Sequence, residues 1–450
     1  MNKEHPGRKN EYLGRKKELE TIRTALTSYR ESSNFNVVGN HGSGRSELLR
    51  VIEDNITNGE WEFPHQNKPI VMILQGINFV QGINFIEFLS NQVSDRIQQA
   101  VGIKVEAGGD FPLLLSKAAA QDYPIVIMID NFTRIMERLE PGEAQGLNRL
   151  RPAGVHYILV TDYRPLEAIS PQVYEASDFF KYTRPVYLKP LNREDSVKMV
   201  EQEISAYPEA GRQPADARLL ETIADIAGGM PGLLANVASY FCFQISEGHF
   251  DGVMRSGDDK RTTRFLRYLP VESAIRFSLN LLLDTIVHDL SLLEKHTLVD
   301  IALEGKGVDL SELDVDLENK FRIMGFLSAE AIRISGKLMQ YTILNNVVPI
   351  NFSGTEIKVF EKFYRSRPGL TSFDELTQLL KEEAPDPDNS LAFRQYIDST
   401  VARIRKKIKE MPNRAAFTIM NERGLGFFSK SEVSFDEFYF DRPSIFSRSK

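Results

Sequence analysis

A chain of 450 residues is too long for one ordinary hydrophobic core and predicts roughly two to four domains. Hydrophobic residues at 42% and charged residues at 26% fit a globular protein, and a formal net charge of -7 argues against a chain that coats nucleic acid generally, while leaving room for one local basic face. The single cysteine, Cys242, excludes an internal disulfide and a multi-cysteine zinc site; no apolar run approaches the ~20 residues of a membrane span, Met1 to Asn10 lacks a signal-peptide core, and a cytoplasmic location with no membrane partner is expected.

The first predicted strand ends at Asn36-Val37-Val38, and a helix follows from Ser46 to Ile52, with apolar residues at helical spacing. Between them lies Gly39-Asn40-His41-Gly42-Ser43-Gly44-Arg45-Ser46, a phosphate-binding pattern with arginine at the lysine position. Glycines between strand and helix let backbone N–H groups curl around an anion, and the helix N-terminus adds partial positive charge. Ser46 would offer its hydroxyl to Mg²⁺. Arg45 keeps a cation near the phosphates, on a planar fork bulkier than an ammonium. A glycine-rich turn without a ligand is the plain alternative, which the strand–loop–helix context disfavours.

Further strands are expected at Pro69–Leu74, at Pro124–Ile129 running into Asp130 and Asn131, at His156–Asp162 and at Val186–Leu191, with a helix from Phe85 to Val101. Apolar strands alternating with helices predict a parallel α/β sheet with its ligand at the carboxyl ends of the strands. Asp130 is read as the acid that holds Mg²⁺ through water, in preference to a helix N-cap. Asn131 follows it, and an amide can orient water but cannot take its proton near neutral pH.

These pieces, with Tyr12-Leu13-Gly14-Arg15-Lys16-Lys17-Glu18-Leu19 before them and Ala227-Gly228-Gly229-Met230-Pro231-Gly232-Leu233-Leu234 after, resemble the AAA+/STAND superfamily of P-loop ATPases over about residues 11–260. The resemblance implies a P-loop NTPase sheet binding ATP or ADP with Mg²⁺, a helical lid whose Pro231 turn contacts nucleotide, and polar sensor candidates at Thr161, Asp162 and Arg164. Arg15 has two readings, beside an adenine or on the surface. Many relatives carry glutamate at the position of Asn131, so Arg45 and Asn131 together predict ATPase activity that is weak or lost.

Residues 206–265 are read as the lid, Gly211 to Ile245 being helical in pattern. Residues 270–345 are read as a STAND-type winged helix, with helices at Leu292–Ala302, Ser311–Leu317 and Glu318–Met324 and a hairpin pairing Gly325–Ser328 with Met339–Ile343. In the last domain, 347–430, a strand at Ile350–Phe352 and a capping box at Ser353–Glu356 lead a helix to Arg365. Thr371–Leu380 and Leu391–Met411 are further helices, and Phe417–Phe428 is a hairpin. The run Val401-Ala402-Arg403-Ile404-Arg405-Lys406-Lys407-Ile408 and the wing Arg423-Gly424-Leu425-Gly426-Phe427 resemble the OmpR-type winged helix of response regulators.

That resemblance implies DNA contact by the third helix and the wing. With Val401, Ile404 and Ile408 buried, the cations Arg403, Arg405, Lys406, Lys407 and Lys409 are expected to point outward. Arg394, Gln395 and Ser399 would face bases, and Arg423 would reach a minor groove. Residues 431–450 form an acidic and aromatic tail that folds back or docks on a partner.

The whole reads as a nucleotide switch or scaffold joined to a DNA-binding domain. Homo-oligomerisation or a complex with an effector partner follows from the family, whose chains of this layout occur in signalling and phage-defence systems. Two alternatives stand beside it. One is an active DNA-remodelling or loading ATPase, similar to origin-recognition initiators. The other is an assembly scaffold with locked nucleotide and no DNA binding.

Overall fold

The computed structural model describes residues 14–28, 31–80, 82–103, 110–206, 217–246, 269, 273–302, 313–346, 354–365, 369–381, 390–409, 417–422 and 426–431. The chain divides into two compact units: Met1–Ser256 with Glu318–Ala331, and Gly257–Leu317 with Ile332–Lys450. Among the described residues no helix is long and apolar enough to cross a membrane.

The first unit is α/β, built on a five-stranded parallel sheet in the order β2-β3-β4-β1-β5. The strands are β1 (Asn34–Val38), β2 (Ile70–Gln75), β3 (Ile125–Asp130), β4 (Val155–Thr161) and β5 (Thr183–Tyr187). Their near-continuous apolar runs are buried on both faces, as parallel strands require. Alternate residues serve opposite cores. Phe35, Val37, Val126, Met128, Ile158 and Val160 pack with Ile22 and Leu26 of α1 (Lys16–Ser28) and Leu48, Leu49 and Ile52 of α2 (Arg45–Thr57). Met72, Ile127, Ile129, Tyr157 and Leu159 pack instead with Phe85, Phe88 and Leu89 of α3 (Phe85–Val101) and Leu114 and Leu115 of α4 (Phe111–Ala120). With period-two alternation, a one-residue slip would exchange the two sets of side chains.

The last strand differs from the expected Val186–Leu191. The ladder runs over Thr183–Tyr187, and Leu188 still donates to Val38 O at 2.8 Å. Pro190 has no N–H to continue it, and the Leu191 N–H turns away to Gly229 O at 2.7 Å. Helix α5 (Arg193–Ser205) follows, its first turn capped by the Asn192 side chain on Asp195 N–H. Then come α6 (Ala217–Ala227) and α7 (Pro231–Ser246). The turn between them is the predicted one, with Gly228 at φ 73° closing α6 and Pro231 opening α7.

The second unit contains α8 (Ser273–Asp289) and α9 (Leu292–Ala302). Among the described residues one helix, α10 (Val315–Ile323), stands where two were expected, and from Glu318 onward it belongs to the first unit. The predicted pairing of Gly325–Ser328 with Met339–Ile343 is not formed; isolated bridge residues stand at Leu327 and Ile334 instead. Met339–Ile343 lies inside α11 (Lys337–Asn346), because Leu338, Met339, Thr342 and Ile343 are buried at helical spacing despite the strand-favouring Tyr-Thr-Ile run.

The C-terminal elements run α12 (Gly354–Arg365), β6 (Gly369–Ser372), α13 (Phe373–Leu380), α14 (Ser390–Lys409), β7 (Phe417–Glu422) and β8 (Gly426–Ser431). Strands β6, β8 and β7 form an antiparallel sheet in that order. The helix expected from Thr371 begins two residues later. Ser372 caps it, exchanging hydrogen bonds with Glu375 in a capping box, while Thr371 is committed to β6. The expected strand at Ile350–Phe352, the cap residue Ser353, the wing tip with Arg423 and the tail beyond Ser431 lie outside the described residues.

Candidate functional site

The loop between β1 and α2 crosses the carboxyl end of the sheet. Gly42 and Gly44 hold φ of 77° and 90°, a region closed to most side chains, and Gly44 is the N-cap of α2. The first-turn N–H groups of α2 have no intrahelical acceptor and face the loop, which suits an anion.

Strand β4 lies between β1 and β3, so Asp130 ends a strand that is not adjacent to the loop's own. Ser46 closes the distance: its hydroxyl donates to Asp130 Oδ2 at 2.6 Å. Asp130 Oδ1 accepts the Asn131 N–H at 2.9 Å. The carboxylate is buried. Asn131 sits at φ 55°, a left-handed position that asparagine tolerates better than glutamate does.

Arg45 turns across the end of β4 and donates from Nη1 to Thr161 O at 2.7 Å. Burial pushes its guanidinium down from the ordinary value, and the Asp130 and Asp162 carboxylates partly offset this. Burial and then the charge of Arg45 push the His41 imidazole down as well.

The other sequence candidates have defined partners. Thr161 donates its hydroxyl to Asn36 Oδ1 at 2.9 Å, a buried cross-strand link rather than a contact open to a ligand. Asp162 is paired with Arg164 at 2.6 Å, and Arg164 also reaches Glu137 at 2.9 Å. Arg15 is buried and donates to Ser43 O at 3.1 Å, so it braces the loop backbone; the surface reading is excluded.

Two contacts tie the loop to later parts of the same unit. The Gly232 N–H, in the first turn of α7 beside Pro231, donates to Gly42 O at 2.8 Å. The approach is close enough that a Cβ on Gly232 would lie 2.9 Å from Gly42 Cα. The Asn40 side chain donates to Met324 O at 2.7 Å. The Asn40 contact was not legible in sequence, because nothing local marks the acceptor. Asn36 did leave a signal, as a polar residue inside an apolar strand.

The donor set fits the phosphates of a nucleotide. For Mg²⁺ the Ser46 hydroxyl and Asp130 carboxylate, hydrogen-bonded to each other, have the right chemistry.

On the C-terminal helix α14, Val401, Ile404 and Ile408 are buried, as expected. The basic face is outward in part: Arg403 and Lys406 are exposed and Arg405 and Lys407 half-buried, but two of these cations are already paired. Arg403 Nε and Lys407 Nζ both bind the buried Glu356 carboxylate of α12, at 3.0 and 2.6 Å. Arg405 lies four residues after Val401, on the flank of the buried stripe. It donates to Ile419 O at 2.9 Å and lies over the Phe427 ring. Arg394, Gln395, Ser399 and Lys406 are exposed, with Arg394 stacked over Phe373 at 4.5 Å. The side chain of Lys409 lies outside the described residues.

No protein-family model matches the chain, and no curated protein matches it. Among solved structures it is similar to a Walker-type ATPase of Pyrococcus abyssi (TM-score 0.44, 13% identity, covering 75% of this chain and 97% of that one). It is also similar to the ORC2 protein of Aeropyrum pernix in its ADPNP-ADP complexes (TM-score 0.41, 13% identity, 76% and 95%). A third is the RuvB Holliday junction branch migration motor of Thermotoga maritima (TM-score 0.39, 13% identity, 77% and 99%). Likeness at this level says nothing of ligand or activity.

Proposed function

We propose that this chain is a nucleotide-binding switch or scaffold of the STAND-like kind, taking ATP or ADP at Gly39–Ser46 with weak or absent hydrolysis, and joined to a C-terminal winged helix that contacts DNA. The observation that carries the reading is the pair of contacts from the phosphate loop, Gly42 to Gly232 and Asn40 to Met324. A ligand that moves the loop backbone alters both, so occupancy is transmitted to the lid helix and to residues 318–331. Ser46 and Asp130 are the residues that would hold Mg²⁺, and the cation would shield phosphate charge. Weak hydrolysis is supported by Asn131, an amide in place of a base, held in a conformation that disfavours glutamate.

The order helix–strand–helix–helix–hairpin in the last domain supports the winged-helix reading, and Arg394, Gln395, Ser399 and Lys406, exposed and outside the Glu356 pairing, are the groups that would meet DNA. One observation favours the scaffold alternative: Glu356 neutralises two of the cations that DNA phosphates would need. The nucleotide reading is tested by denaturing the purified protein and separating what is released by chromatography. An adenine or guanine nucleotide is expected. A preparation that releases none, and binds none when supplied, would reject it. Salt-sensitive retention of duplex DNA separates the switch from the scaffold.

A further inference from the structure

We propose that Asn40 is an internal competitor for phosphate, held in place by Met324, so that nucleotide binding and the docking of residues 318–331 oppose each other. The inference rests on the nucleotide reading above and adds the sign of the coupling.

A loop that cradles an anion does so with backbone N–H groups. In this loop several already have acceptors. The Gly39 N–H donates to Asp162 O at 3.2 Å. Those of His41 and Ser43 both end on Asn40. The His41 N–H donates to its side-chain Oδ1 at 2.8 Å, and the Ser43 N–H to its backbone carbonyl at 3.1 Å. Gly42 lies between them at φ 77°, a left-handed residue of the kind that turns neighbouring N–H groups to one side. Asn40 therefore accepts from donors that an anion in this loop would need.

The Asn40 amide is anchored at both ends. While Oδ1 accepts from His41, Nδ2 donates to Met324 O at 2.7 Å. The residue is buried, so an amide that lost one partner would find no water to replace it. A phosphate oxygen carries charge, and hydrogen bonds to a charged acceptor are about twice as strong as those to a neutral one. Phosphate thus displaces Oδ1 from the His41 N–H. The amide then turns, and its bond to Met324 is lost. Conversely, a docked Met324 keeps the amide on the loop and weakens nucleotide binding by the same factor, as linkage requires. The segment has a second attachment, from Lys189 Nζ to Asn319 Oδ1 at 3.2 Å. Lys189 follows β5 and is not part of the phosphate loop, so it serves as the control.

The test is a fluorescence titration of the nucleotide-free full chain with N-methylanthraniloyl-ADP and -ATP in magnesium chloride, beside amide hydrogen exchange of the wild type with and without ADP. Asn40→Ala is expected to bind about tenfold tighter than wild type, and Lys189→Ala to stay within about twofold of it. Wild-type peptides spanning Met324 are expected to exchange about twofold or more faster when nucleotide is bound. Asn40→Ala binding no tighter than wild type, an equal gain from Lys189→Ala, or exchange across Met324 that nucleotide leaves unchanged or slows overturns the proposal and leaves the nucleotide reading standing. No binding of either probe by the wild type overturns that reading and this inference with it. If circular dichroism shows that Asn40→Ala does not fold, the exchange measurement on the wild type decides alone.

Discussion

Asn40, the second residue of the phosphate loop, donates its side-chain amide to the carbonyl of Met324 at 2.7 Å, across 284 positions of sequence. Asn40 is buried, and both residues belong to the same compact unit. The bond is a direct mechanical link between the site where phosphate would sit and a segment that returns from far along the chain.

Asn40→Ala removes that donor and its own amide, leaving Met324 O in a poorly solvated place. The expected loss is about 1–3 kcal/mol. Trp61, the only tryptophan of the chain, is buried in the core beneath α2 and reports on this unit. Its fluorescence should show a lower thermal midpoint in the variant. An unchanged midpoint would show that the bond contributes nothing.

Gly232→Ala places a Cβ 2.9 Å from Gly42 Cα, a backbone atom that cannot yield cheaply. The Gly232–Gly42 contact must open. Nucleotide affinity is expected to fall by about tenfold, equivalent to about 1.4 kcal/mol. Titration with a fluorescent nucleotide reads this, and equal affinity in the variant would show that the α7 contact plays no part in binding.

Acid should destabilise the first unit through His156. Its Nδ1 accepts the Ser33 N–H at 3.1 Å, and burial, with His65 nearby, pushes its pKa down to about 4. The folded state therefore binds fewer protons than the unfolded chain, whose imidazole titrates near 6.5. The contribution is intact above about pH 6.5 and is lost progressively as pH falls toward 4, by about 3 kcal/mol. Trp61-detected unfolding across this range should show the slope, and His156→Gln should flatten it. A wild-type stability independent of pH between these limits would contradict the assignment.

Glu356→Gln should release Arg403 and Lys407 from their shared carboxylate. Two freed cations add up to two phosphate contacts, so the slope of log affinity against log salt should steepen by about 1–2. DNA retention at two salt concentrations measures it. A variant no more attracted to DNA than wild type, while still folded, would favour the protein-binding scaffold.

Much of this protein was written locally in its sequence. The cores of the first four parallel strands, the phosphate loop, the Gly-Gly-Met-Pro turn and the buried stripe Val401, Ile404 and Ile408 follow from apolar periodicity and from glycine and proline chemistry. Those signals act over a few residues. Tertiary structure decided what depends on distant cover or distant charge. Met339–Ile343 became a helix because its burial pattern outweighed its strand propensity. Strand β4 came to separate the loop from Asp130, and Met324 came to accept from Asn40. Long cations took whichever partner the fold delivered: Thr161 O for Arg45, Glu356 for Arg403 and Lys407. Periodicity records that a face is covered, whereas which segment covers it, and where an opposite charge lands, is settled only when remote parts of the chain pack together.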